Sequence, residues 1–411
     1  MNKVGGQKSP VNAQQRIVSL DMLRGVAVLG ILIMNIQSYS MISAAYINPT
    51  AFGDLMGWNK WVWILSHLFA DQKFMTIFSL LFGAGVLIFT ERLESKGYSP
   101  LGIHYRRIFW LILIGMSHAY LLWYGDILVP YAMCALILVL LRKLSAKALV
   151  AIGSLMILIP SLLYLMFGLS WAFIPPEGQQ GIEMSWLPSA QLINKELMTY
   201  RSGWFEQMPL RIKEAVSFQT FIFLIYTGWR VAGMMLIGMA LYKWDILSAK
   251  KSNSFYLINS FVGFIIGLPI IILGITENFA LDWRVNYSMF LGWQFNYWGS
   301  IFLAWAYISL TMLIYRLATD SRLVKALAAV GRMALSNYLM QTIICTFIFY
   351  GHGLGWYGSV ERTGQILLVL CIWILQLILS PIWLTRFRFG PAEWLWRSLT
   401  YWKRQPMLFR K

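Results

Sequence analysis

The chain has 411 residues, 58% of them hydrophobic and only 12% charged, with a mean hydropathy of +0.61. That composition excludes an ordinary soluble domain and requires an integral membrane protein whose main partner is the lipid bilayer. The formal charge of +17 would suggest nucleic acid in a soluble protein; here it belongs to the loops between spans, and no nucleic-acid partner is expected.

The first 18 residues are polar, and residues 19–41, SLDMLRGVAVLGILIMNIQSYSM, follow as an apolar run of membrane length. Asp21 and Arg24 at its start favour an uncleaved anchor, although the small residues of SAA (43–45) would also suit a cleaved signal peptide. Asn35 lies 11 residues after Arg24, roughly 16 Å along a helix and on nearly the same face. A polar line therefore runs from a wet end to a dry interior. Asp21 and Arg24 are either a helix-start ion pair or part of a ligand site, and Asn35 either bonds a neighbouring helix or serves the same site.

Ten apolar runs predict ten spans, over 20–42, 62–90, 108–124, 127–141, 148–169, 218–242, 254–275, 292–315, 334–350 and 364–385. The second is long enough to tilt or break near Asp71. With the N-terminus cytoplasmic, 25 of the 34 basic residues fall in cytoplasmic segments and seven on the other side; Lys73 and Arg230 lie within spans. This asymmetry predicts both termini in the cytoplasm. The expected organisation is a cytoplasmic tail over 1–19, a transmembrane domain over 20–385 with a large external loop over 170–217, and a basic, aromatic cytoplasmic tail over 386–411.

The external loop, too long for a simple turn, is either a lid or acceptor-binding loop or a passive surface loop. AEWLWRSLTYWKRQ, after Gly390-Pro391, predicts a short interfacial helix. FGAGVLIF (82–89) and VAGMMLIGMALY (231–242) carry small residues about a turn apart and predict close helix packing rather than an inverted repeat.

Strongly polar groups within spans are costly and so are functional candidates: Asn35, Asp71, Lys73, His118, Arg230, Asn337 and Gln341. Asp71 and Lys73, two apart, cannot share a helical face, so they take different partners or the helix breaks there. Arg230 is the expected mate of Asp71. Lys73 then either snorkels to an interface or awaits an anion such as a phosphate, carboxylate or CoA-type ligand. His118 is the one histidine well inside a span. Asp126 follows eight residues later, about 12 Å of helix, so contact requires the Gly125-Asp126 turn to fold back. Asn337 and Gln341, four apart, bond a ligand or neighbouring helices. Cys134, Cys345 and Cys371 are odd in number and the four histidines are scattered, so neither a disulfide framework nor a metal site is expected.

The opening run, together with GRMALSNYLMQTIICTFIFYGHGLG (331–355) and LQLILSPIWLTRFRFGPAEWLWRSLTY (375–401), resembles the YeiB family, bacterial polytopic membrane proteins that end in domain of unknown function 418. His118, Trp123, Gly125 and Asp126 resemble that family's own pattern. The LRG sequence with a polar residue 11 after the arginine is similar, more remotely, to the first helix of transmembrane acyltransferases, including heparan-α-glucosaminide N-acetyltransferase and acyltransferase family three. The resemblance implies a bacterial cytoplasmic-membrane protein that moves an acyl group from an acyl-CoA donor to a small-molecule, lipid or glycan acceptor. The residue 11 after that arginine in acyltransferase family three is a histidine; here Asn35 stands in its place. Asparagine cannot be a general base but can donate to a developing oxyanion, so the expected base is His118. Transport of a small anion through a midplane site built from the same buried charges is the alternative. Homo-oligomerisation is left open by the sequence.

Overall fold

The structure is a computed structural model and describes residues 17–409. Residues 1–16 of the expected N-terminal tail, with Lys3, Lys8 and Arg16, and Arg410 and Lys411 at the other end lie outside the described residues.

Each of the ten apolar runs is helical. The first is α1 (Val18–Ser40); the second divides into α2 (Gly57–Phe69) and α3 (Lys73–Glu94); α4 (Pro100–Leu121), α5 (Leu128–Leu138) and α6 (Ala146–Leu169) follow. After α7 (Pro176–Trp186), α8 (Ala190–Arg201) and α9 (Met208–Ser217), the chain re-enters the bundle through π-helical Phe218–Thr227 and α10 (Gly228–Lys243). Next come α11 (Asn253–Ala280) and, beyond a second π-helical turn at Ser288–Gly292, α12 (Trp293–Leu317). The amphipathic α13 (Arg322–Arg332), then α14 (Ala334–Phe349), α15 (Arg362–Arg386) and α16 (Pro391–Tyr401) complete the order. The described residues contain no strand beyond one isolated bridge, Phe387 with Leu408. This is an all-α polytopic membrane protein, because only helices of this kind satisfy their own backbone in lipid. Seven helical stretches are long and apolar enough to cross a membrane, and α5 and α14 are shorter apolar helices.

Burial identifies the centre. In α1, 78% of the membrane-length window is buried inside the protein, against 28% in α6, 33% in α11 and 22% in α15. The last three turn their apolar surface outward to lipid, and α1 is enclosed by the other helices. The second span breaks where its polar residues predict: Asp71 lies in the turn, and Gln72 takes a left-handed conformation at φ 65° before α3 begins.

The two small-residue motifs pack against each other. A Cβ on Gly83 of α3 would lie 2.0 Å from the carbonyl oxygen of Met235 of α10, and one on Gly238 would lie 2.0 Å from that of Leu80. Backbones this close leave room only for glycine. The 170–217 segment is largely helical and anchored, with Trp186 buried and its Nε1 donating to the Trp283 carbonyl at 2.8 Å. Arg322, Lys325 and Arg332, read from sequence as loop charges, lie on α13, whose Val324 and Ala328 pack on Met22 of α1.

Candidate functional site

His118 lies in the last turn of α4, and the expected fold-back of the segment that follows occurs. Leu122 and Trp123 both donate backbone N–H to the His118 carbonyl at 3.0 Å, turning the chain. Gly125 is pressed against the Trp123 ring, 2.4 Å from where a Cβ would stand, so a larger residue would open the turn. Asp126 thereby comes within 2.8 Å of His118 Nδ1, and its other oxygen accepts from Val129 N, in the first turn of α5, at 2.7 Å. His118 and Asp126 are 2% and 0% exposed. A carboxylate only accepts, so Nδ1 donates and Nε2 is left as an acceptor. Nε2 is 2.9 Å from Thr342 Oγ1, itself 2.6 Å from the Tyr39 hydroxyl. With a neutral imidazole, donation runs from Tyr39 to Thr342 to His118 to Asp126, through α1, α14, α4 and the α4–α5 turn.

A cavity of about 280 Å³ lies between α1, α3, α4, α5, α14 and α16. Arg24, Arg92, Lys96, Arg107, Arg332 and Arg397 line it, against the carboxyls of Asp21 and Glu393. Arg24 pairs with Asp21 at 2.9 Å, and Arg107 stacks 4.4 Å from the Trp396 ring. Leu81, Phe82, Val86, Leu111, Ile127 and Tyr338 supply apolar wall. The chamber is thus strongly cationic with an apolar, aromatic lining, a shape suited to an anionic head and an apolar tail. Tyr338 joins it to the dyad: its ring centroid is 5.1 Å from that of His118, and its hydroxyl accepts from Ile127 N at 3.3 Å. Tyr338 thus borders both His118 and the chamber. Glu393 of α16 accepts from Leu335 N, Ser336 N and Ser336 Oγ at the start of α14. Burial raises its carboxyl above the ordinary glutamate value.

The expected Asp71–Arg230 pair does not form. Asp71 Oδ2 accepts from Asn296 Nδ2 at 2.7 Å and lies 3.2 Å from His67 Nδ1; Lys73 Nζ donates to Asn296 Oδ1 and to the His67 carbonyl, both at 2.6 Å. The break before α3 turns both charges to the two ends of one amide on α12, so Lys73 is neither unmatched nor snorkelling. Arg230 instead donates to the Tyr297 carbonyl, Thr76 Oγ1 and Ser300 Oγ, with its guanidinium 4.2 Å from the Tyr297 ring centroid.

Asn35 is half-buried and its side chain makes no hydrogen bond among the described residues. It lies one helical turn before Tyr39, on the relay's face of α1. Asn337 and Gln341 serve the scaffold: Asn337 Nδ2 donates to the Val330 carbonyl and Ser380 Oγ, and Gln341 Nε2 to the Val28 carbonyl and Gln376 Oε1. They tie α14 to α1, α13 and α15. Among the described residues, no group of three or more metal-ligating side chains could hold a metal ion.

Residues 241–403 match the family described as "Protein of unknown function (DUF418)". Over 94% of this chain and 96% of its relative, the sequence is 35% identical to "Uncharacterized protein YeiB" of Escherichia coli K12. The chain belongs to the YeiB family. It is also 30% identical to "Uncharacterized protein YxaH" of Bacillus subtilis 168, over 97% of each chain. The family match covers α11 to α16 but not His118, Asp126 or α1; the YeiB relatives extend over nearly the full length. Asn296, Thr342, Tyr39 and the basic chamber were not singled out from the sequence. Of the chamber's lining only Asp21 and Arg24 were read there as a candidate ligand site; its other cations were counted for topology alone, and nothing in their spacing brings them to one place.

Proposed function

We propose that the protein is an acyltransferase of the bacterial cytoplasmic membrane, taking its acyl group from a CoA-type donor. The observation that carries the reading is the cationic, apolar-walled chamber whose wall residue Tyr338 also packs on the buried Asp–His dyad. The six cations suit the phosphates of the donor, and the apolar wall suits its pantetheine arm and acyl group. All six belong to segments that the distribution of basic residues assigns to the cytoplasm, where CoA is found. The remote likeness of the LRG helix to transmembrane acyltransferases supports the same reading.

In this reaction the acceptor's hydroxyl or amine attacks the thioester carbonyl: a C–O or C–N bond forms, the C–S bond breaks, and the acceptor's proton reaches His118 Nε2. Asp126 holds the imidazole in the accepting tautomer and stabilises it once protonated. The proton then passes to the departing thiolate, giving free CoA. Asn35 supplies a hydrogen-bond donor to the developing oxyanion.

The test is a CoA titration of the purified protein, paired with mass spectrometry of small molecules that co-purify with it and a turnover assay on the acceptor so found. Saturable CoA binding that survives His118→Ala, while turnover is lost, supports the proposal. Absence of CoA binding, or solute flux into liposomes without chemical change, overturns it in favour of anion transport. The buried Arg230, with no carboxylate within 4.0 Å among the described residues, is the feature that favours that second reading.

A further inference from the structure

Four buried polar groups unused by the dyad and the chamber gather at the Tyr39 end of the relay. Trp123 Nε1, Tyr200 Oη, Tyr350 Oη and Arg211 Nε have no hydrogen-bond partner among the described residues, and the four residues are 3%, 1%, 0% and 0% exposed. The groups are physically linked. The Tyr39 and Trp123 ring centroids are 4.2 Å apart, those of Tyr200 and Tyr350 are 4.9 Å apart, and all four aromatic residues share one core cluster. Gln207 joins Tyr200 to Arg211, donating to the Tyr200 carbonyl at 3.1 Å and accepting from Arg211 Nη2 at 2.7 Å. Arg211 Nη1 donates to the carbonyl of Leu121, two residues before Trp123.

Buried polar groups are normally satisfied, so several orphans in one place mark a bound species. All four carry a hydrogen to donate, and the indole and guanidinium can only donate. Their complement is a group rich in acceptors. Arg211 has only neutral partners: the Leu121 carbonyl, Gln207 Oε1 and Met208 Sδ. A buried cation without a counter-charge is strongly unfavourable, so the complement is also negative. The acids of this layer do not supply it: the oxygens of Glu196 accept from Ser43 N, Ser43 Oγ and the Tyr357 hydroxyl, and Glu214 forms no ion pair with Arg211 among the described residues. A carboxylate offers about four lone-pair sites, the number of orphaned donors.

We propose that Trp123, Tyr200, Tyr350 and Arg211 form a binding site for a small organic carboxylate. The exposed His352 ring lies 5.9 Å from that of Tyr350. The site is distinct from the chamber and does not depend on acyl transfer.

The test uses full-length protein in lipid nanodiscs, titrated calorimetrically with sodium acetate at constant ionic strength set with sodium chloride. Saturable acetate binding is expected in the wild type, weaker by about tenfold or more in Arg211→Gln and in Tyr350→Phe, as for loss of a hydrogen bond to a charged group. Tyr350→Phe is the decisive variant, because it removes one oxygen and keeps the ring. If its hydroxyl sits in a dry core, the substitution raises the melting temperature and changes no binding; that result overturns the site. Absence of acetate binding overturns it too, as does acetate binding unaltered by both variants. A parallel CoA titration of each sample reads the chamber independently, so failure of one site is not mistaken for failure of the other.

Discussion

At the scale of single residues, the reading rests on the direction of one hydrogen-bond chain. Asp126 accepts from His118 Nδ1 and so makes Nε2, which meets the Thr342 hydroxyl, the accepting nitrogen of a neutral imidazole. Asp126→Asn preserves the shape but permits the other tautomer, so turnover is expected to fall by about 10²- to 10⁴-fold with CoA affinity retained, as steady-state kinetics and calorimetry would register. Asn35→Ala should lower turnover by about 10²- to 10³-fold without changing the pH–rate profile, since asparagine does not titrate near neutral pH; a moved profile would mean that Asn35 acts on the base instead. Asn296 carries a separate prediction. Its amide is shared by Asp71 and Lys73, so Asn296→Leu removes a partner from two buried charges and should cost roughly 3–5 kcal/mol of stability in denaturant titration. A loss below about 1 kcal/mol would show that the bridge is dispensable. Residue types were legible in the sequence here and partnerships were not. Asp126 was visible beside His118, but their contact depends on a turn tightened by Gly125 and Trp123. Arg230 looked like the mate of Asp71 because both are charged and buried, whereas a neutral amide at the mouth of another span makes the bond.

Elements were legible where they are long and apolar. Membrane-length runs announce themselves by composition, and the break at Asp71 announced itself by two charges that no single helical face could bury. The short helices were harder to read, because their chemistry is shared with loops. α13 has three basic residues in eleven, and its apolar face has meaning only once α1 is present to cover it. α16 was legible as a helix, but its role was not: beyond a membrane-surface anchor, it inserts Glu393 under α14 and walls the chamber. This burial has a consequence for stability. The Glu393 carboxyl is raised above 4.5 in the folded protein, so the folded state holds the proton more tightly than the unfolded chain. Its contribution to stability is full below about 4.5 and is lost as pH rises through the folded value. Melting temperature should therefore decline across that window in the wild type, and Glu393→Gln, which cannot ionise, should flatten the decline. Equal slopes in the two proteins would show that other carboxyls dominate; Glu196 and Glu214 are raised in the same direction by burial.

For the whole molecule, the arrangement implies a division between two faces. The central α1 carries Arg24 into the chamber at its N-terminal end and Tyr39 into the relay near its C-terminal end. The two residues are 15 positions apart on α1, about 23 Å at 1.5 Å per residue, roughly three-quarters of the hydrocarbon thickness of a bilayer. The chamber and the Trp123–Tyr350 layer therefore lie toward opposite ends of α1. The sequence assigns 25 of the 34 basic residues to the side of the membrane that holds Arg24, an asymmetry that predicts this side to be cytoplasmic. Single cysteines can test this in intact cells, in a background where the exposed Cys371 is replaced and the buried Cys134 and Cys345 are retained. Glu183→Cys, on the exposed α7, should react with an impermeant maleimide applied from outside, and Lys250→Cys, between α10 and α11, should react only after the cells are opened. Labelling of Lys250→Cys in intact cells would invert the protein, place the chamber outside the compartment that holds CoA, and remove the donor assignment with it.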